Sequence, residues 1–168
     1  MALVILIGII LSPIILIEIF KVNSVVAYLA LCLGAVVSEF VDNNPILKHF
    51  LKSSNYINHI SYINNLKLLL LVLPLALVII LMIRTAKGGL LSLNLIGSVC
   101  VGVLLAYLLV PVLPHTLNSG ILSNKYWLKL NEQKSNVIAV SSLLILIMLV
   151  LQRSKFSHKG GSALKHKK

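Results

Sequence analysis

The chain predicts an all-α, polytopic membrane protein with five transmembrane helices, arranged as two proline-bearing hairpins followed by a fifth helix. Three observations carry that prediction. Hydrophobic residues make up 58% of the 168 and charged residues only 11%, far below the roughly 25% of a soluble domain. The apolar residues gather into five runs suited to a hydrocarbon core of about 30 Å. The charge, net +11, sits at the ends of those runs, and six of the fifteen Lys and Arg residues follow Gln152. This is the layout of membrane orientation and anionic-lipid contact. It lacks the aromatic-interleaved basic groove that would point to nucleic acid.

Residues 1–151 form the transmembrane domain, with helices expected at about 2–20, 24–41, 66–83, 90–113 and 136–152. The first run reads as a retained span, since no basic segment precedes it and no small-residue cleavage site follows. Pro13 near its middle removes a backbone hydrogen bond and predicts a kink. Glu18 and Lys21, three residues apart, read as an interfacial pair on one helix face. Lys21-Val22-Asn23 is nearly the whole link to the second run, so these two helices are expected to be neighbours. Cys32 and Cys100 both fall inside apolar runs and read as small core residues.

A polar segment, Asn43 to Asn65, contains six asparagines. Pro45 and the doublets at 46/47 and 50/51 predict an amphipathic, interfacial helix. His49 and His59, with no cysteine or paired carboxylate nearby, fit surface contacts better than a metal site. The third run carries Pro74, a second expected kink. The basic turn with Arg84 and Lys87 follows, then the fourth run, ended by Pro111 and Pro114. Residues 115–136 bring Tyr126, Trp127, Leu128 and Leu130 beside Lys125 and Lys129, an interfacial aromatic belt. After the fifth run, residues 152–168 read as a disordered basic cytoplasmic tail. Arg84, Lys87, Arg153 and Lys155 are the expected anionic-lipid contacts.

Two helices carry stripes of small residues at every fourth position: Ala30, Gly34, Ser38 on the second, and Asn94, Ser98, Gly102, Ala106 on the fourth, with Gly97 beside them. In lipid such stripes let backbones approach closely and mark packing surfaces. Helices 2 and 4 are therefore expected to meet through them. Alternate loops fix the orientation. With the N-terminus outside and five spans, nine Lys and Arg face the cytoplasm and six face outward, in line with the positive-inside rule. The order of features also repeats: a run with a central proline, a short basic turn, a striped run, an outer polar segment. Both halves start outside, so such a repeat would be parallel.

No nucleophile triad, HExxH, phosphate-cradling loop or CxxC occurs, and the four carboxylates lie at run ends or in loops. An enzyme working on lipid at the outer surface would have His115, His59 or Glu39 available, but their spacing does not favour it. No cofactor is expected. The short hairpins, the basic Lys87-Gly88-Gly89-Leu90-Leu91 turn and the following Leu93-Asn94-Leu95-Ile96-Gly97-Ser98-Val99-Cys100-Val101-Gly102 resemble the CvpA (colicin V production) family over residues 1–113. The resemblance implies a bacterial inner-membrane protein tied to toxin export or envelope homeostasis, with Gly97, Ser98 and Gly102 as packing residues. Two function classes follow. One is a non-enzymatic scaffold or accessory subunit, alone, as a homo-oligomer or in a larger membrane complex. The other is a small oligomeric channel or transporter, which needs a polar cavity near Ser12, Pro74 and Asn94.

Overall fold

A computed structural model describes residues 2–44, 59–83, 91–113 and 120–160. The order is α1 (Ala2–Phe20), α2 (Ser24–Asn43), α3 (His59–Leu81), α4 (Leu91–Leu109) with a 3₁₀ turn Val110–Val112, α5 (Lys125–Glu132) and α6 (Lys134–Gly160). No strand occurs among the described residues. Five helices are long and apolar enough to cross a membrane, as the composition predicts. The amphipathic stretch around 46–57, His49, Arg84, Lys87, His115 and residues 161–168 lie outside the described residues.

Two boundaries differ from expectation. The third helix begins at His59 rather than near 66, so part of the polar segment is its first two turns. The last helix runs on to Gly160, past the point where the sequence suggests a disordered tail. The apolar run 137–151 covers only about 22 Å at 1.5 Å per residue, so the span Lys134–Gln152 includes polar flanks at both ends. The helical part that carries Arg153 and Lys155 is thus continuous with the span.

The turn from α1 to α2 shows how the hairpin is set. Lys21 has φ 52°, the left-handed conformation that ends many helices. Its N–H donates to the Glu18 carbonyl at 3.3 Å, and the Val22 N–H donates to the Ile17 carbonyl at 3.0 Å. Val22 and Ile17 are fully buried together, completing a Schellman motif. Asn23 then caps α2, its side chain accepting from the Val25 N–H at 3.0 Å.

Within each hairpin the two helices hardly touch. α1 and α2 scarcely touch despite their three-residue link, because the turn splays them apart. The principal contacts are α1 with α4 and α2 with α3, followed by α2 with α4; α6 lies mainly on α4. Each proline helix therefore packs on the striped helix of the other hairpin. Both prolines stand inside continuous helices.

The small stripes explain this exchange, and they correct the expected pairing. A Cβ at Gly102 would lie 2.5 Å from the Ile10 carbonyl of α1, and one at Gly34 would lie 2.8 Å from the Leu71 carbonyl of α3. Ser98, Gly102 and Ala106 are all buried on the α1 side, where Glu18, Ile10 and Leu6 meet them in antiparallel order. Helices α2 and α4 do touch, but at Gly97, where a Cβ would collide with the Ser24 hydroxyl. Ala30 is buried, while Ser38 is half-buried and donates to the Ala35 carbonyl of its own helix. Side chains facing away from these contacts, such as Val4, Leu33 and Leu143, are exposed and apolar. That is the surface a bilayer would cover.

Candidate functional site, a polar junction at one membrane surface

Where the α1–α2 turn meets the start of α4, polar side chains converge in an otherwise apolar bundle. Asn94, 4% exposed, sits at the centre. Its Oδ1 accepts from the Ser24 N–H at 2.8 Å, a helix N-terminal donor with no partner inside α2. Its Nδ2 donates to the Val22 carbonyl at 3.0 Å and to Glu18 Oε1 at 3.3 Å. One amide thus holds both sides of the turn and a carboxylate. Ser98, one helical turn further on, donates to Glu18 at 3.4 Å and to the Leu95 carbonyl at 2.8 Å.

The last helix joins the same junction. Asn23 Nδ2 donates to Gln152 Oε1 at 2.9 Å, and Gln152 Nε2 donates back at 3.4 Å. A second tie lies deeper, where the hydroxyls of Tyr28 and Ser142 are 2.9 Å apart. The junction therefore binds α1, α2, α4 and α6 together at one surface. The Ser24 hydroxyl, fully buried against Gly97, makes no hydrogen bond. It acts as a small spacer there.

Glu18 departs from expectation. Lys21 is exposed and, among the described residues, no ion pair joins the two; the left-handed turn carries Lys21 away. Glu18 turns inward instead, to amide and hydroxyl donors. Its position was readable: Leu6, Ile10, Ile14 and Glu18 share one face of α1, the face that meets the stripe on α4. Asn23, Ser24 and Gln152 gave no comparable signal, since their roles depend on a turn geometry that brings residues 70 to 129 apart together.

At the opposite surface α5 is pinned rather than loose. Asn124 caps it by accepting from the Tyr126 N–H at 3.0 Å. Trp127 is buried against Tyr107, ring centroids 5.8 Å apart, and the Tyr107 hydroxyl donates to the Leu130 carbonyl at 2.7 Å. Of the expected aromatic belt, Trp127 serves as an internal anchor, while Tyr126 and Leu128 are exposed. Glu39 is exposed at the end of α2.

Mid-membrane space near the first proline is apolar in character. A groove of about 250 Å³ opens beside Ser12 and Pro13, walled by Leu75, Ala76 and Leu105. Asn94 is not part of it. Its amide is committed to the junction. Among known protein families, characterised proteins and solved structures, none matches this chain.

Proposed function

We propose that the chain is a non-enzymatic integral membrane protein of CvpA-like type, a scaffold or accessory subunit in envelope homeostasis or toxin export. It would lie in a bacterial inner membrane with the N-terminus outside and the C-terminus cytoplasmic, as the distribution of Lys and Arg favours. The observation that carries the reading is how the polar groups are used. The polar groups of Asn94, Ser98, Asn23 and Gln152 tie helices to one another at one surface. The middle of the bundle is closed by glycine-to-backbone contacts and apolar side chains. This is the construction of a rigid platform that presents its two surfaces and its lipid-facing flanks. A partner in a larger complex, or a second copy, would dock there.

Proteoliposomes test the choice between platform and conduit. Purified protein is expected to pass Na⁺, K⁺, Cl⁻ and protons no faster than empty vesicles. A flux above that background which Asn94→Leu abolishes would overturn the reading. A single cysteine at Ser162 should react with impermeant maleimide only from the cytoplasmic side; labelling from outside would reverse the orientation.

A further inference from the structure

A groove of about 370 Å³ runs along the contact of α4 with α6 and has the anatomy of a phospholipid seat. Val103, Val137, Val140 and Leu144 wall it, and the side-chain amides of Gln133 and Asn136 stand at one end. Gln133 and Leu144 are eleven positions apart, about 16 Å along a helix. That is close to half of a hydrocarbon core of about 30 Å, the depth of a single leaflet. The polar end lies at the surface that carries α5, opposite the junction. The apolar end stops near the middle of the membrane.

Charge is disposed to match. Lys134 is exposed at the first turn of α6, two helical turns ahead of the groove residue Ser141 and on the same face. Lys125 and Lys129 are exposed on the adjoining α5. Glu132 is the only carboxylate between residues 120 and 136. The N-terminus of α6 adds its positive dipole end at the same place. Neither groove is lined by a charged residue, but the one beside Pro13 has no side-chain amide in its lining either, whereas the α4–α6 groove has two amides with Lys134 next to them in sequence.

We propose that the α4–α6 groove binds one anionic phospholipid. One acyl chain lies between Val103 and Val140, and the phosphate sits over Lys134 with the Gln133 and Asn136 amides beside it. The site is at the surface opposite the expected contacts of Arg84, Lys87, Arg153 and Lys155, and it stands whether or not the scaffold reading does. It predicts that lipid class is selected by charge and that occupancy is set by groove shape.

Native mass spectrometry of the delipidated full chain, titrated separately with dioleoylphosphatidylglycerol and dioleoylphosphatidylcholine, tests both terms. The wild type should hold one phosphatidylglycerol about fivefold or more above phosphatidylcholine. Lys134→Gln should weaken phosphatidylglycerol about fivefold, the equivalent of one surface lysine, and phosphatidylcholine by less, because its choline cation already offsets the phosphate charge. Val140→Phe, at a position 58% exposed and so tolerant of a larger side chain, should fill the groove and weaken both lipids. Equal binding of the two lipids by the wild type overturns the proposal. So does wild-type phosphatidylglycerol affinity in either variant, or a second protein copy retained in place of lipid.

Discussion

Replacing the helix glycines by alanine one at a time is expected to separate crossing points from lipid-facing positions. At Gly102 the new Cβ would lie 2.5 Å from the Ile10 carbonyl and 3.3 Å from Ile14 side-chain atoms. The carbonyl is backbone and has no rotamer to adopt, so α1 and α4 must part by nearly 1 Å to restore ordinary contact. Overpacking of this kind costs about 1–3 kcal/mol. Better helix propensity returns about 1 kcal/mol. The net loss expected is about 0–2 kcal/mol. Gly34→Ala, facing the Leu71 carbonyl at 2.8 Å, should lose less, about 0–1 kcal/mol. A Cβ at Gly8 meets nothing within 4 Å, so Gly8→Ala should gain about 1 kcal/mol from propensity alone. Reversible SDS-induced unfolding in bicelles, followed by Trp127 fluorescence, reads these differences directly. If Gly102→Ala proved as stable as Gly8→Ala, the α1–α4 crossing described here would be wrong.

Two further substitutions probe the junction and its turn. Asn94→Val strands the Ser24 N–H and the Val22 carbonyl, and should cost about 2–4 kcal/mol; Glu18→Ile removes only a polar partner, leaves no backbone group unsatisfied, and should stay within about 1 kcal/mol of wild type in the same unfolding assay. Equal losses in both would show that Asn94 serves Glu18 rather than the turn. Lys21→Gly relieves a left-handed lysine and should stabilise by about 1 kcal/mol, seen as a higher SDS midpoint; a lower midpoint would mean that the side chain, not the backbone, matters at Lys21.

The spans were legible because they depend on local quantities. A run of apolar residues reports its own burial, and an exposed Leu33 and a buried Leu31 are both satisfied in or beside lipid. The stripes were legible as packing faces for the same reason. Their partners were not. Which helix Gly34 meets depends on the angle at which α1 leaves α2, and that angle follows from one left-handed residue, Lys21, with no glycine to mark it. A three-residue link suggests adjacency, and here the backbone conformation inside it produces divergence. Glu18 was misread through the same turn: spacing of three proposes a pair with Lys21, but Lys21 lies past the end of the helix whose face the spacing assumes.

The exchange of partners between hairpins also sharpens the repeat suggested by the order of features. Pro13 and Pro74 are 61 positions apart, as are Ile10 and Leu71, the two carbonyls that receive the glycines. Ala30, Gly34 and Ser38 precede Ser98, Gly102 and Ala106 by 68 positions each. Two crossings are thus built on one plan: a glycine set against a carbonyl three residues ahead of a proline. The same offsets carry Glu18 to Ile79 and Asn94 to Val26. One crossing ends in a carboxylate held by an amide and a hydroxyl; the corresponding positions of the other half hold three aliphatic side chains, Ile79, Val26 and Ala30. The crossing geometry therefore does not require polarity, since the other half closes without it. Glu18 lies in the last turn of α1, at the membrane surface, where a carboxylate costs far less than at the bilayer centre, and there it helps tie α1 to α4. The junction is where the two halves part company.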